Sequence, residues 1–243
     1  PDPHQSTHPV RSDGVPASAR VCAQPGAGAL GSGGLILSEP PAYWASAKRA
    51  LAVKDPILGE IIRQHPRIAL RGRGDPFQTL ARSIVGQQIS VRAAQSIWDR
   101  MLISAPAMRP RDLLSLGPVK LRSCGLSERK AEYVSDLATR FEDGTLRRTS
   151  WRRMDDEAII DELSKVRGIG RWTAEMFLIF NLQRPDVLPV DDLGLRKAMQ
   201  QHYFRGRIPT AARMREKAKA WQPWRSVATW YLWRSLEPDP IEY

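Results

Sequence analysis

The chain has 243 residues, 37 lysines and arginines against 26 aspartates and glutamates, and a formal net charge of +11. That length supports one large or two small domains with a core that needs no disulfide, and the charge favours a polyanionic partner. Cys22 and Cys124 stand far apart in no CxxC-like spacing, and no apolar run approaches the roughly 20 residues that cross a bilayer, so a cysteine-held metal site and a membrane span are excluded and a reducing cytoplasm fits best.

Residues 1–40 are rich in Pro, Gly, Ala and Ser and read as a disordered tail. They hold two basic and three acidic groups, so the positive charge belongs to residues 41–243. A targeting peptide is the competing reading, but Gly31 to Leu37 is short and broken and no basic segment precedes it.

From Tyr43 onward the apolar spacing is helical. Asp55-Pro56 and Asp75-Pro76 each set a capping carboxylate before a proline at the first helical position. Ile57, Leu58, Ile61 and Ile62 form one stripe, and Phe77, Leu80, Ala81, Ile84 and Val85 another, at spacings of three and four. Ser90 caps a third helix. Pro110 to Leu116, Val119 to Cys124 and Ser127 to Phe141 read as short, short and long helices, and Asp155 to Lys165 and Arg171 to Asn181 as a pair around Gly168-Ile169-Gly170. Leu193 to His202, Thr210 to Trp221 and Trp224 to Leu236 complete the pattern. No useful stretch alternates with period two, so the class is all-α, with roughly ten to twelve helices.

Two features stand out between Leu163 and Arg196. Gly168-Ile169-Gly170 makes a tight turn whose bare amides open the next helix, where unpaired N–H groups and the positive dipole end favour a phosphate; Arg171 adds a charge and Thr173 a hydroxyl. An ordinary helix–helix turn with a glycine stop fits the same residues. The acidic pair Asp191-Asp192 follows a stop at Pro189, and capping of the next helix is its bland reading. His4, His8, His65 and His202 compose no triad.

LSKVRGIGRWTAEMFLIF followed by LPVDDLGLRKA, together with DPFQTLARSIVGQQISVRAA at 75–94 and WQPWRSVATWYLW at 221–233, resembles the helix-hairpin-helix DNA glycosylase superfamily, in its alkylation-repair branch of 3-methyladenine DNA glycosylase II type. The resemblance covers about Tyr43 to Pro240. It implies two helical lobes with a cleft between them: a six-helix lobe at 77–182 bearing the hairpin, and a second lobe from 41–76 plus 183–243. The extra amino-terminal α/β domain of longer members is expected to be lacking.

In function, the resemblance implies a monofunctional base-excision enzyme that flips alkylated purines such as 3-methyladenine and 7-methylguanine out of double-stranded DNA and hydrolyses them off, leaving an abasic site. It implies a catalytic aspartate, Asp192 by the Asp-Leu pattern of this branch or Asp191 by the Val-Asp pattern of endonuclease III. Trp172 stands where bifunctional relatives carry a Schiff-base lysine. Trp172 and Trp233 resemble the pocket aromatics, with Tyr231 and Trp230 weaker candidates; an alkylated purine cation gains from such faces. Gln88 falls at the intercalating position, although a polar turn before Ser90 explains it equally, and Leu126 is a second wedge candidate. The resemblance implies no cofactor for catalysis, but a Na+ or K+ held by the backbone carbonyls of Ser164, Val166 and Ile169. A monomer in the cytoplasm, at the nucleoid if bacterial, is expected. A non-catalytic hairpin DNA-binding protein and a glycosylase for oxidised or mismatched bases are the alternatives.

Overall fold

The computed structural model describes residues 39–236, so all but the last two residues of the expected tail lie outside the described residues. The helices are α1 (Trp44–Lys54), α2 (Pro56–Gln64), α3 (Pro76–Gly86), α4 (Val91–Ser104), α5 (Pro110–Ser123), α6 (Glu128–Glu142), α7 (Arg148–Trp151), α8 (Asp156–Ser164), α9 (Arg171–Phe180), α10 (Leu193–His202), α11 (Ala211–Ala218) and α12 (Arg225–Arg234), with a 3-10 turn at Lys219–Trp221. No strand occurs among the described residues, which agrees with the all-α class, and no helix there is long and apolar enough to cross a membrane.

The capping signals work as the sequence predicts. Asp55 accepts from the amides of Ile57 and Leu58, Asp75 from Gln78, Ser90 from Ala93, Ser127 from Lys130 and Asp155 from Ala158, each satisfying donors that the first helical turn leaves orphaned. The two short helices expected at 110–124 are two limbs of α5, bent where Gly117 takes φ 69 and ψ 169 before Pro118. Four-residue α7 was not expected, because one turn carries no periodicity. Its Trp151 is fully buried, edge-on to Phe141 and Phe177, and donates to Glu162 Oε2 at 2.7 Å.

Packing sorts the helices into two groups. In one, α3 packs on α4, α6 and α9, α5 lies along α6, and α8 meets α9; in the other, α1 and α2 pack on each other and on α12, which also meets α10. Phe180, at the end of α9, joins the groups by stacking on Trp233 of α12, with centroids 5.7 Å apart, and lying edge-on to Trp230.

The second group is pinned by one carboxylate. Asp55, 2% exposed, caps α2 and also accepts from Trp221 Nε1 at 2.9 Å, Tyr203 OH at 3.2 Å and Lys217 Nζ at 3.0 Å, so residues early in the chain are tied to residues beyond 200. Burial alone would raise this carboxyl, but the Trp221 and Lys217 donors, with the Leu58 amide, outweigh it and hold it below the ordinary value. Asp55→Ala should destabilise the chain by about 3 kcal/mol, since it strands buried donors. A folded pKa below the unfolded one stabilises above the unfolded value, near 4, and the contribution is lost as pH falls through the folded value. Melting curves against pH should therefore show a lowered melting temperature for the variant at pH 7 and convergence with the parent in acid.

Candidate active site

Asp192 is placed by the turn before α10. Its amide donates to Pro189 O at 3.0 Å, and its backbone is extended, at φ −72 and ψ 123, as an N-cap requires. The side chain is 3% exposed, and three donors from three helices converge on it. Oδ1 accepts from the Leu195 amide at 2.6 Å and from Trp233 Nε1 at 2.8 Å, and Oδ2 from Trp172 Nε1 at 3.0 Å. With two acceptor directions on each oxygen, Oδ1 is filled and Oδ2 keeps one. Gly194 permits this closeness: a Cβ there would lie 3.1 Å from Trp233 Cδ1 and 3.2 Å from Asp192 Oδ1. Asp191, by contrast, is exposed, and the cap of α10 is made by Asp192.

The surroundings are aromatic. Trp172 is 37% exposed, whereas Trp233 is buried with one face stacked on Phe180, over whose ring Arg73 sits at 4.2 Å. Tyr231 lies elsewhere. Residues two apart on a helix point in nearly opposite directions, so while Trp233 reaches Asp192, Tyr231 packs on Trp44 in the core and donates to Ile68 O at 3.1 Å. Trp230 is likewise core material, edge-on to Trp44.

The hairpin lies just upstream of Trp172. The cap of α9 is Gly170, which makes no side-chain bond to the amides that open the helix. Gly168 takes φ +82 and presses on α6, where a Cβ would come within 2.2 Å of the Tyr133 ring; at Gly170 a Cβ would meet nothing within 4 Å. Asp136 Oδ2 fixes the turn by accepting the Arg167 amide at 2.9 Å. Ile169 and Thr173 are buried. Arg171 is half exposed, but its guanidinium is engaged by Glu157 through bonds of 2.8 and 2.5 Å and by Glu175 Oε1 at 3.1 Å, so its charge is already compensated.

Gln88 is exposed, in the turn between α3 and α4, at φ 59. Leu126 is 4% exposed: the turn before Ser127 directs it into the core and not outward, so it presents no wedge. Sequence reasoning passed over Glu175. It is 3% exposed, its Oε2 has no hydrogen-bond partner, and burial, opposed by Arg171 and assisted by the negative charge of Asp191, pushes its carboxyl up to about 7. The only signal was an acid inside the apolar run of α9.

An all-helical chain of positive charge, with a glycine-built helix start beside a buried carboxylate framed by indoles, is of the helix-hairpin-helix DNA-binding class. The family model described as HhH-GPD superfamily base excision DNA repair protein matches residues 81–223, and the chain belongs to this superfamily. It is 32% identical over 165 residues to DNA-3-methyladenine glycosylase 1 of Schizosaccharomyces pombe, covering 66% of this chain and 72% of that protein. Among solved structures it is similar to a DNA-3-methyladenine glycosidase from Bacillus halodurans (TM-score 0.73, 33% identity, 81% of this chain and 92% of that one). It is also similar to the Schizosaccharomyces pombe 3-methyladenine DNA glycosylase in complex with abasic DNA (TM-score 0.68, 29% identity, 81% of this chain and 100% of that one).

The two hairpin glycines should separate binding from folding. Gly170→Ala has room and an ordinary backbone (φ −97), so its melting temperature should stay parental while affinity for abasic duplex falls several-fold; unchanged affinity counts against a phosphate at this turn. Gly168→Ala, strained at positive φ and against Tyr133, should lose more than about 1 kcal/mol of stability.

Glu175 gives a pH signature. Its folded pKa lies above the unfolded value, so between about pH 4.5 and 7 the native state holds the proton more tightly and stability declines as pH rises. Glu175→Gln should melt higher than the parent at pH 8 and lose that advantage at pH 5.

Proposed function

We propose that this chain is a monofunctional DNA glycosylase that hydrolyses the N-glycosidic bond of alkylated purines such as 3-methyladenine and 7-methylguanine in duplex DNA, leaving an abasic site. The observation that carries the reading is the Asp192 carboxylate, buried, held by the amide of Leu195 and the indoles of Trp172 and Trp233, with one acceptor direction open on Oδ2. A protein that only bound DNA would have no use for such a group.

Alkylation at N3 or N7 puts positive charge on the purine, so it departs with the bonding electrons as a neutral base. Charge then develops on the deoxyribose, and a fixed carboxylate in a water-poor site stabilises that oxocarbenium-like state without reorganising. Water supplies the oxygen that bonds to C1′ and gives its proton to solvent or the departing base. Oδ2 of Asp192 faces the sugar and the attacking water. Trp172 and Trp233 hold the carboxylate plane, and the partly exposed Trp172 receives the extruded base by stacking and cation–π attraction. Position 172 provides an indole N–H for the carboxylate and no amine, so the strand is left uncut.

The hairpin grips the phosphates flanking the extruded nucleotide through the amides opening α9. A Na+ or K+ fits beside them: the carbonyls of Ser164 and Val166 lie at the negative end of α8, that of Ile169 follows in the turn, and Val166 O, which accepts from the Ile169 amide at 3.1 Å, retains a second lone pair. Such an ion would add positive charge facing the phosphate. The enzyme acts as a monomer in the cytoplasm, at the nucleoid if the cell is bacterial.

The test is incubation with methylated duplex DNA and chromatography of the released bases. The parent should release both alkylpurines, Asp192→Asn should be slower by on the order of a hundredfold or more, and Asp191→Asn should stay within a few-fold. Absence of release by the parent refutes the activity, and selective loss in the Asp191 variant transfers the role to that residue.

A further inference from the structure

Beyond α3 the chain turns through Gln87 (φ −58, ψ 131) and Gln88 (φ 59) before Ser90 caps α4. These angles match the central pair of a type II turn, whose second position calls for glycine or asparagine. A glutamine there is strained, because its Cβ crowds the backbone as glycine does not. Gln88 is also exposed, so core burial does not offset the strain.

What holds the turn is reach across the chain. Gln87 Nε2 donates to Gly168 O of the hairpin at 2.8 Å. From α6, Lys130 Nζ donates to Gln87 O at 2.7 Å and to Val85 O at 2.8 Å, placing its charge at the carbonyl end of α3. Burial lowers the Lys130 pKa, so the ammonium gives up hydration to sit there. Lys130 and Tyr133 stand three apart on α6 and therefore share a face. One end of that face fastens the Gln88 turn, the other supports Gly168 through the Tyr133 ring.

We infer that Gln87 and Lys130 are positioning residues that join the Gln88 turn to the hairpin as one rigid unit, so that the phosphate grip and the gap-filling side chain enter DNA in fixed register. The inference rests on the proposed glycosylase reading, with Gln88 as the residue that fills the space left by the extruded nucleotide. Unstacking a base is costly, and a side chain already held in its inserting backbone conformation adds no loop-ordering cost to that. Strain at Gln88 is then retained because the side chain acts on DNA and not on the fold.

The probe is a duplex with an abasic site and 2-aminopurine opposite it, whose fluorescence reports insertion without any catalysis. The parent should change the signal on binding, Gln88→Ala and Gln88→Gly should abolish the change, and Gln88→Gly should melt at or above the parental temperature. Gln87→Leu and Lys130→Met should each reduce the change several-fold and add nothing in the Gln88→Ala background, with Gln87→Leu, half-buried, melting within a few degrees of the parent. Parental signals in Gln87→Leu and Lys130→Met overturn the positioning role, as does a Gln87→Leu effect matched by unfolding. A parental signal in Gln88→Ala overturns the gap-filling reading together with it. Lack of base release with the fluorescence pattern intact counts against the enzyme activity alone.

Discussion

The convergence of three N–H donors on Asp192 sets the terms for everything around it. Each donor comes from a different element: the Leu195 amide from the first turn of α10, the Trp233 indole from α12 and the Trp172 indole from α9. A hydrogen bond tolerates only a few tenths of an ångström in length, so these helices must meet in a single arrangement. Phe180, stacked on Trp233, provides the apolar part of the joint, and Gly194 provides the clearance. Alanine at 194 would be the better helix former. It would push on both Asp192 and Trp233, so the weaker helix former preserves the carboxylate geometry.

The same economy governs the hairpin. A side-chain cap stabilises a helix N-terminus, and α2, α4 and α11 use aspartate, serine and threonine for the purpose. At α9 the cap is glycine with no such bond, which leaves the amides for an external anion. An anion there would meet neighbouring charges that are already engaged. Arg171 is already shared between Glu157 and Glu175, so a phosphate must either compete for the guanidinium or rely on the backbone. The chain's excess positive charge assists approach over longer distances, and with counterion release the affinity is set by salt.

Much of the fold was legible because its signals are local. Asp55-Pro56, Asp75-Pro76, Ser90 and Ser127 start helices through bonds to residues two or three further on, and a sequence window contains both partners. The acidic pair was legible as a pair, but choosing between Asp191 and Asp192 needs the indoles of residues 20 and 41 positions away. Tyr231 was grouped with Trp233 by proximity in sequence, and the helical rotation between them separates the two. Leu126 looked like a turn residue free to project, yet the turn points it inward. Glu175, Gln87 and Lys130 were not legible in their roles, since what distinguishes them is a partner, or the lack of one, supplied by distant chain; Gln87 and Gly168 are 81 residues apart.

Some of the structure's costs lie near the surface where DNA is expected to bind. Gln88 holds a left-handed backbone, Lys130 is partly desolvated, Glu175 buries a carboxyl with an unpartnered oxygen, and α9 forgoes its cap. The left-handed backbone of Gln88 and the unpartnered oxygen of Glu175 each cost on the order of a kcal/mol. In the other helical group Asp55 is satisfied by donors from the α2 amides, Trp221, Tyr203 and Lys217. Satisfied bonds such as those at Asp55 help keep the chain folded while the surface around the hairpin and Asp192 carries groups whose geometry serves a partner and not the core.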